Sequence, residues 1–318
     1  MKLSEEATAT FERCTASSEE GLEKIRAAAT EMFGGDDRFV IGVNGSYARR
    51  EVTAGSDVDI FILTLDDDPT KLKAGQVRFR EYLRDQLGLK LPADDGVFEN
   101  PLAINAVSNR IGGREDTNDN ITRRMLLLLE GEWIFNERLF IETRRKLLSR
   151  YLHDNLVEEK ICMFLLNDII RYWRTICVDY EYKVEWDNKP KAIRLIKLRF
   201  SRMMLYVAGI FAVGETFGKS AGKKLEVLTK YFAIPPLQRF NLIVGEEGAP
   251  ALELYASFLS ALDDNAIRAT LEGNDDEALS SPEFINLSKN ARAFKKHLRA
   301  LMIGHFEEDN PTIPAILI

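Results

Sequence analysis

Histidine and cysteine are scarce in this chain of 318 residues, with three of each. Cys14, Cys162 and Cys177 form no CxxC and have no histidine cluster nearby. That excludes a disulfide framework and a zinc site, and it fits a reducing cytosol. Long apolar runs are also missing. No segment offers the ~20 uninterrupted apolar residues of a membrane span. The greasiest run, Met203 to Val213, is flanked by Arg202 and Glu215 and reads as a buried helix. The N-terminus shows no apolar signal region. A cytoplasmic protein without membrane contact is therefore expected. Positive charge is in deficit, the formal net charge being -7. Such a chain is not a bulk nucleic-acid binder, so any basic function must be local.

Apolar residues make up 45% of the chain, enough for a sizeable core. Two apolar runs flank one polar connection, at residues 39–65. Phe39 to Val43 reads as a strand ending at Asn44-Gly45-Ser46. Val58 to Leu65 reads as a second strand, apolar almost throughout, as for a strand buried on both faces. Asp57 and Asp59 stand at its entrance. Side chains alternate along a strand, so these two carboxylates are expected on one face. Adjacent acids repel unless a cation lies between them. Asp59 also sits in an apolar context, where an acid must be compensated. A capped turn with solvated acids is the bland alternative, and it accounts poorly for Asp59.

The connection is suited to phosphate. Glycine allows close backbone approach to an anion, and Ser46 adds a hydroxyl and an amide. Arg49 or Arg50 could reach the same oxygens. Carboxylate oxygens together with phosphate are the usual magnesium environment, manganese being the alternative ion. Two such ions can activate a hydroxyl and stabilise departing pyrophosphate. The chemistry indicated is transfer of a nucleoside monophosphate from a nucleoside triphosphate, with ATP binding among the expectations.

Gly45-Ser46-Tyr47-Ala48-Arg49-Arg50-Glu51 followed by Gly55-Ser56-Asp57-Val58-Asp59-Ile60 resembles the signature of the DNA polymerase β-like nucleotidyltransferase superfamily. The resemblance covers about residues 30–110. It implies an α+β fold, with a small mixed sheet, flanking helices and an appended all-helical domain that selects the substrate. It also implies a third metal-binding acid on a later strand. Asp94, Asp95 and Glu99 lie in the right part of the chain, and Asp95 is taken as the third member of the set Asp57, Asp59, Asp95. Asp119-Asn-Ile-Thr-Arg-Arg-Met-Leu-Leu-Leu-Leu-Glu-Gly-Glu resembles the segment after the catalytic core in bacterial uridylyltransferases that modify nitrogen-regulatory signalling proteins. Their additional hydrolase and sensing domains are lacking, so that circuit is not implied.

The expected domains are 1–150, nucleotidyltransferase with an N-terminal helix, and 151–318, helical. Within the first, helices are predicted over 4–33, 70–87, 121–130 and 136–151. Leu89 to Leu91 and Leu102 to Val107 are predicted strands, and Asp119 or Asn120 the cap of the helix at 121. The second is predicted as helices near 156–183, 190–215, 221–231, 250–270 and 281–302. Residues 189–202 hold six basic residues and no acid. Lys197 and Arg202 belong to this basic stripe, which either contacts triphosphate or RNA or is a solvated face. Asn167, Arg171 and Arg174, with Tyr172, Trp173, Tyr180 and Tyr182, offer base stacking or ordinary core packing. The apolar tail 311–318 either docks on the body or is ordered by a neighbour, which leaves a homo-oligomer open. The acceptor, whether protein hydroxyl, RNA end or small molecule, is not legible. A noncatalytic nucleotide-binding, regulatory or antitoxin-like protein is the rival class. A cyclic-oligonucleotide signalling synthase is a variant of the first.

Overall fold

The computed structural model describes residues 2–92, 96–109, 111–152, 156–186 and 189–317. By internal contacts the chain divides into two compact units. One comprises residues 14–52 and 56–156, and the other residues 1–13, 53–55 and 157–318.

The first unit is α+β. Its order is α1 (Glu5–Phe33, whose first turns belong to the other unit), β1 (Phe39–Asn44), α2 (Gly45–Arg49), β2 (Asp59–Thr64), α3 (Lys73–Asp85), β3 (Leu102–Ala103), α4 (Ile104–Ser108), α5 (Asn118–Leu129), β4 (Glu132–Phe135) and α6 (Glu137–Arg150). The strands form one mixed sheet in the order β3-β2-β1-β4. β1 pairs antiparallel with β2 and β4, and β3 runs parallel to β2. β1 is buried along its whole length, as its apolar sequence requires. Phe39, Ile41 and Val43 share one core with Ile60 and Ile62, with Leu22, Ile25 and Ala29 of α1, and with Phe79 and Leu83 of α3. Phe33 closes that core with its ring 5.5 Å from Phe39 and 5.6 Å from Phe79. Phe61 stacks at 4.8 Å on Phe98.

Several local expectations change. Leu102 to Val107 begins as a strand, but pairing stops at Ala103 and the chain turns into α4. Leu89 to Leu91 forms no ladder, although the Lys90 carbonyl accepts from the Val58 amide at 2.9 Å. Thr117 is the cap of α5, its hydroxyl accepting from the Asn120 amide. β4 was not predicted. Its four residues are too few for a periodic signal, and pairing with β1 creates it. The acid run before Pro69 behaves as a helix-opening turn, with Asp68 capping a short 3-10 turn.

The second unit is helical beyond its short segments. It contains α7 (Met163–Glu185), α8 (Lys191–Lys197), α9 (Met203–Gly214), α10 (Ala221–Phe232), α11 (Pro236–Val244), α12 (Ala249–Asp263), α13 (Asn265–Glu272), α14 (Asp275–Ser280), α15 (Pro282–His305) and α16 (Thr312–Leu317). α9 is buried on nearly every side, as its all-apolar sequence requires. Phe200 stacks on Phe258 at 4.7 Å and on Phe294 at 5.0 Å, joining the α8–α9 junction to α12 and α15. That junction is a π turn at Leu198–Arg202. Its extra residue per turn shifts the buried stripe, so Met204 is buried and Met203 only partly. The helix expected over 250–270 is cut at Asp264, whose carboxylate caps α13 through the Ala266 and Ile267 amides. The tail docks: Asn310 donates to the Gly214 carbonyl and accepts from the Thr312 amide, and Thr312 is buried. Among the described residues no helix is long and apolar enough to cross a membrane.

Candidate active site

Gly45 joins β1 to α2 at φ +76°, a left-handed conformation that other residues adopt only with strain. In the β1–β2 register Asn44 pairs with Asp59. The Asp59 carboxylate consequently lies against Gly45. A Cβ there would stand 2.5 Å from Asp59 Oδ2. The glycine is thus needed twice, for its backbone and for the room it leaves the acid.

Beyond Gly45, the residues of α2 are buried except Ser46, which is partly exposed. Val58 is buried between Asp57 and Asp59, both half-buried, the alternation expected of strand geometry. Tyr47 has its hydroxyl pKa raised, chiefly by burial and further by the Asp57 charge. The structure brings Gly45, Ser46, Asp57 and Asp59 into one unit and sets Gly45 directly against Asp59.

The two arginines after the turn are held by acids. Arg49 donates to Glu51 Oε2 at 2.7 Å and to Glu130 Oε2 at 2.6 Å, all three side chains being buried. The other Glu130 oxygen accepts from the Gly45 amide at 3.3 Å. Arg50 is left-handed at φ 62°. It ends α2 with its amide on the Tyr47 carbonyl, while its guanidinium reaches Glu19 at 2.6 Å and Glu132 at 2.8 Å. These ion pairs offset the local cost of that conformation. Glu132 also binds Arg26, which stacks on Trp133 at 3.9 Å. The sequence reading missed Glu51, Glu130, Glu19 and Glu132 as supports of the turn. Glu51 was adjacent and could have been paired with Arg49. Glu130 and Glu132 are 81 and 82 positions from their arginines, and nothing local signals them.

Asp94 and Asp95, candidates for the third acid, lie outside the described residues. Glu99 is exposed, its carbonyl accepting from Lys73 Nζ at 3.1 Å. Among the described residues no three His, Cys, Asp or Glu gather as a metal-holding group. The donor set is nevertheless suited to a hard cation. It consists of the oxygens of Asp57, Asp59 and Ser46, with Asn44 Oδ1 buried opposite Asp59 and, among the described residues, without a hydrogen-bond partner.

Lys197 and Arg202 belong to the helical unit, on α8 and its π turn, both half-buried. In α7, Tyr172 and Tyr180 are core residues and Trp173 stacks on Tyr206 at 5.2 Å. Arg171 pairs with Asp168 at 2.8 Å, and Tyr182 is exposed.

Residues 22–96 match the family model described as nucleotidyltransferase domain. The matched segment holds the Gly-Ser turn, the two aspartates and both paired arginines. This part of the chain is a nucleotidyltransferase domain of the polymerase β-like superfamily. No curated protein matches the chain.

Proposed function

We propose that the chain transfers a nucleoside monophosphate from a nucleoside triphosphate to a hydroxyl acceptor. The observation that carries this reading is the Asp59 carboxylate seated against Gly45 at the end of β1, within a nucleotidyltransferase domain. Asp57 and Asp59 hold magnesium or manganese, with Asp95 as the third acid. When bound, the metal neutralises phosphate charge and lowers the pKa of the attacking hydroxyl. Gly45 and Ser46 receive the β- and γ-phosphates. Arg49 and Arg50 support them by fixing the turn, since both guanidiniums are engaged by glutamates. Lys197 and Arg202 are proposed phosphate contacts, to be tested singly as Lys197→Gln and Arg202→Gln in triphosphate binding.

The experiment is release of pyrophosphate and transfer of label from an α-labelled triphosphate with magnesium. Wild type turns over, and Asp57→Ala with Asp59→Ala abolishes turnover while leaving the thermal midpoint nearly unchanged. Full turnover by the double variant overturns the assignment. Triphosphate binding without turnover by wild type moves the protein to the noncatalytic class.

A further inference from the structure

The chain carries a net charge of -7, yet α15 presents a face without any acid. From Phe284 to Phe306 there is no Asp or Glu, while Lys289, Arg292, Lys295, Lys296 and Arg299 fall within one stretch of eleven residues. α15 buries Leu287, Ala291, Phe294 and Leu298 against its own unit. The opposite side is solvent. Ile285, Lys289, Arg292, Lys296, Arg299 and Ile303 recur every three or four residues and are all exposed, which makes one row along the helix. Lys295 and His297 flank it and are exposed too. Among the described residues none of the five Lys and Arg side chains forms an ion pair. The contrast with the buried guanidiniums is sharp: Arg49 and Arg124 are each matched by carboxylates.

A row of unpaired cations on a rigid helix is matched by a polyanion with regularly spaced charge. With a rise of ~1.5 Å per residue, Lys289 to Arg299 spans about 15 Å. Successive members lie about 4.5–6 Å apart, a spacing suited to successive phosphates of one strand. An interfacial membrane helix needs a free apolar face, and α15 has committed its own to the core. No aromatic side chain stands in the row, so contact is with the backbone and not with base identity.

We infer that the exposed face of α15, through Lys289, Arg292, Lys296 and Arg299, binds the phosphodiester backbone of single-stranded RNA. The row itself calls for a polynucleotide. The choice of RNA rests on the nucleotidyltransferase reading, because RNA adds terminal 2′ and 3′ hydroxyls of the kind that reaction consumes.

The test is fluorescence anisotropy of a labelled single-stranded RNA of mixed sequence with the full chain, without triphosphate. Four phosphate contacts give a log–log salt slope of about -2.8, so affinity falls roughly 50-fold between 50 and 200 mM salt. The variant Lys289→Gln, Arg292→Gln, Lys296→Gln, Arg299→Gln weakens binding about tenfold or more at low salt and flattens the slope. Lys289→Arg with Lys296→Arg keeps wild-type binding. All four positions are exposed, so far-UV circular dichroism stays unchanged. Undiminished RNA binding by the Gln variant overturns the inference. So does the absence of wild-type RNA binding, equal competition by polyglutamate on a charge basis, or preferential capture by anionic vesicles. Asp57→Ala with Asp59→Ala still binds RNA, so loss of transfer chemistry and loss of this surface read out separately.

Discussion

Gly45→Ala is the substitution on which the geometry of the turn makes its sharpest demand. The residue sits at φ +76°, and a methyl there meets Asp59 Oδ2 at 2.5 Å. An L-residue in the left-handed region costs about 1–2 kcal/mol. Turning the Asp59 carboxylate aside adds about 0.5–1.5 kcal/mol for an off-rotamer side chain. Replacing glycine stiffens the unfolded chain and returns about 0.4–1 kcal/mol. The net loss is about 0.5–3 kcal/mol, read as a lower thermal midpoint. Transfer suffers more, because the displaced group is a proposed metal-binding carboxylate. A misplacement near 1 Å costs about 100-fold in rate. Gly35→Ala is the control: it is left-handed at φ +95°, with nothing within 4 Å of its Cβ position. It loses stability alone. Calorimetry and pyrophosphate release are measured on wild type and both variants. If Gly45→Ala keeps transfer within twofold of Gly35→Ala, the close seating of Asp59 has no catalytic meaning and the reasoning fails.

Two further outcomes follow from buried groups. Arg124 is fully buried and bidentate to Asp116 at 2.7 and 2.9 Å, with Tyr151 Oη accepting from its Nε at 3.0 Å. Asp116→Asn takes this carboxylate charge from the buried guanidinium and destabilises the chain by more than about 1 kcal/mol in urea unfolding, whereas Arg124→Met with Asp116→Leu costs less; a smaller loss in the single variant contradicts this. Burial pushes the Cys162 thiol up to about 12 from its ordinary 9.0, against a partial opposing effect of Lys224. The unfolded chain ionises that thiol first, so the contribution of Cys162 is complete below pH 9 and is lost as pH rises toward 12. At pH 10.5 the loss is about 2 kcal/mol. Urea midpoints of wild type and Cys162→Ala at pH 8 and 10.5 check this: wild type falls further, and equal declines contradict it.

The strand–turn–strand at residues 39–65 was legible because its signals are local. An apolar run, a glycine and two acids two residues apart need no partner elsewhere to mark strand, turn and strand. The same holds for α9, whose sequence is apolar on all sides, and for the turn at Asp68. The strand expected at Leu102 to Val107 was shortened because its residues suit strand and helix alike, and only β2 decides where pairing ends. Asp264 divides a helix because its carboxylate finds two amides, an outcome that apolar periodicity does not register.

Local order along the chain suffices for the strand–turn–strand and for the family resemblance it carries. Gly45-Ser46 and Asp57-Val58-Asp59 between two apolar strands carry that, since backbone freedom and side-chain alternation are properties of adjacent residues. Tertiary structure alone decided what the neighbouring charges do. Arg49 and Arg50 look free in sequence, but Glu130 and Glu132 arrive from the far end of α5 and from β4 to hold them. The cations of α15 look no different in sequence, yet the buried side of the helix turns them outward, and among the described residues none of them forms an ion pair. A charge is defined by its nearest opposite charge, and chain folding, not chain order, chooses that neighbour.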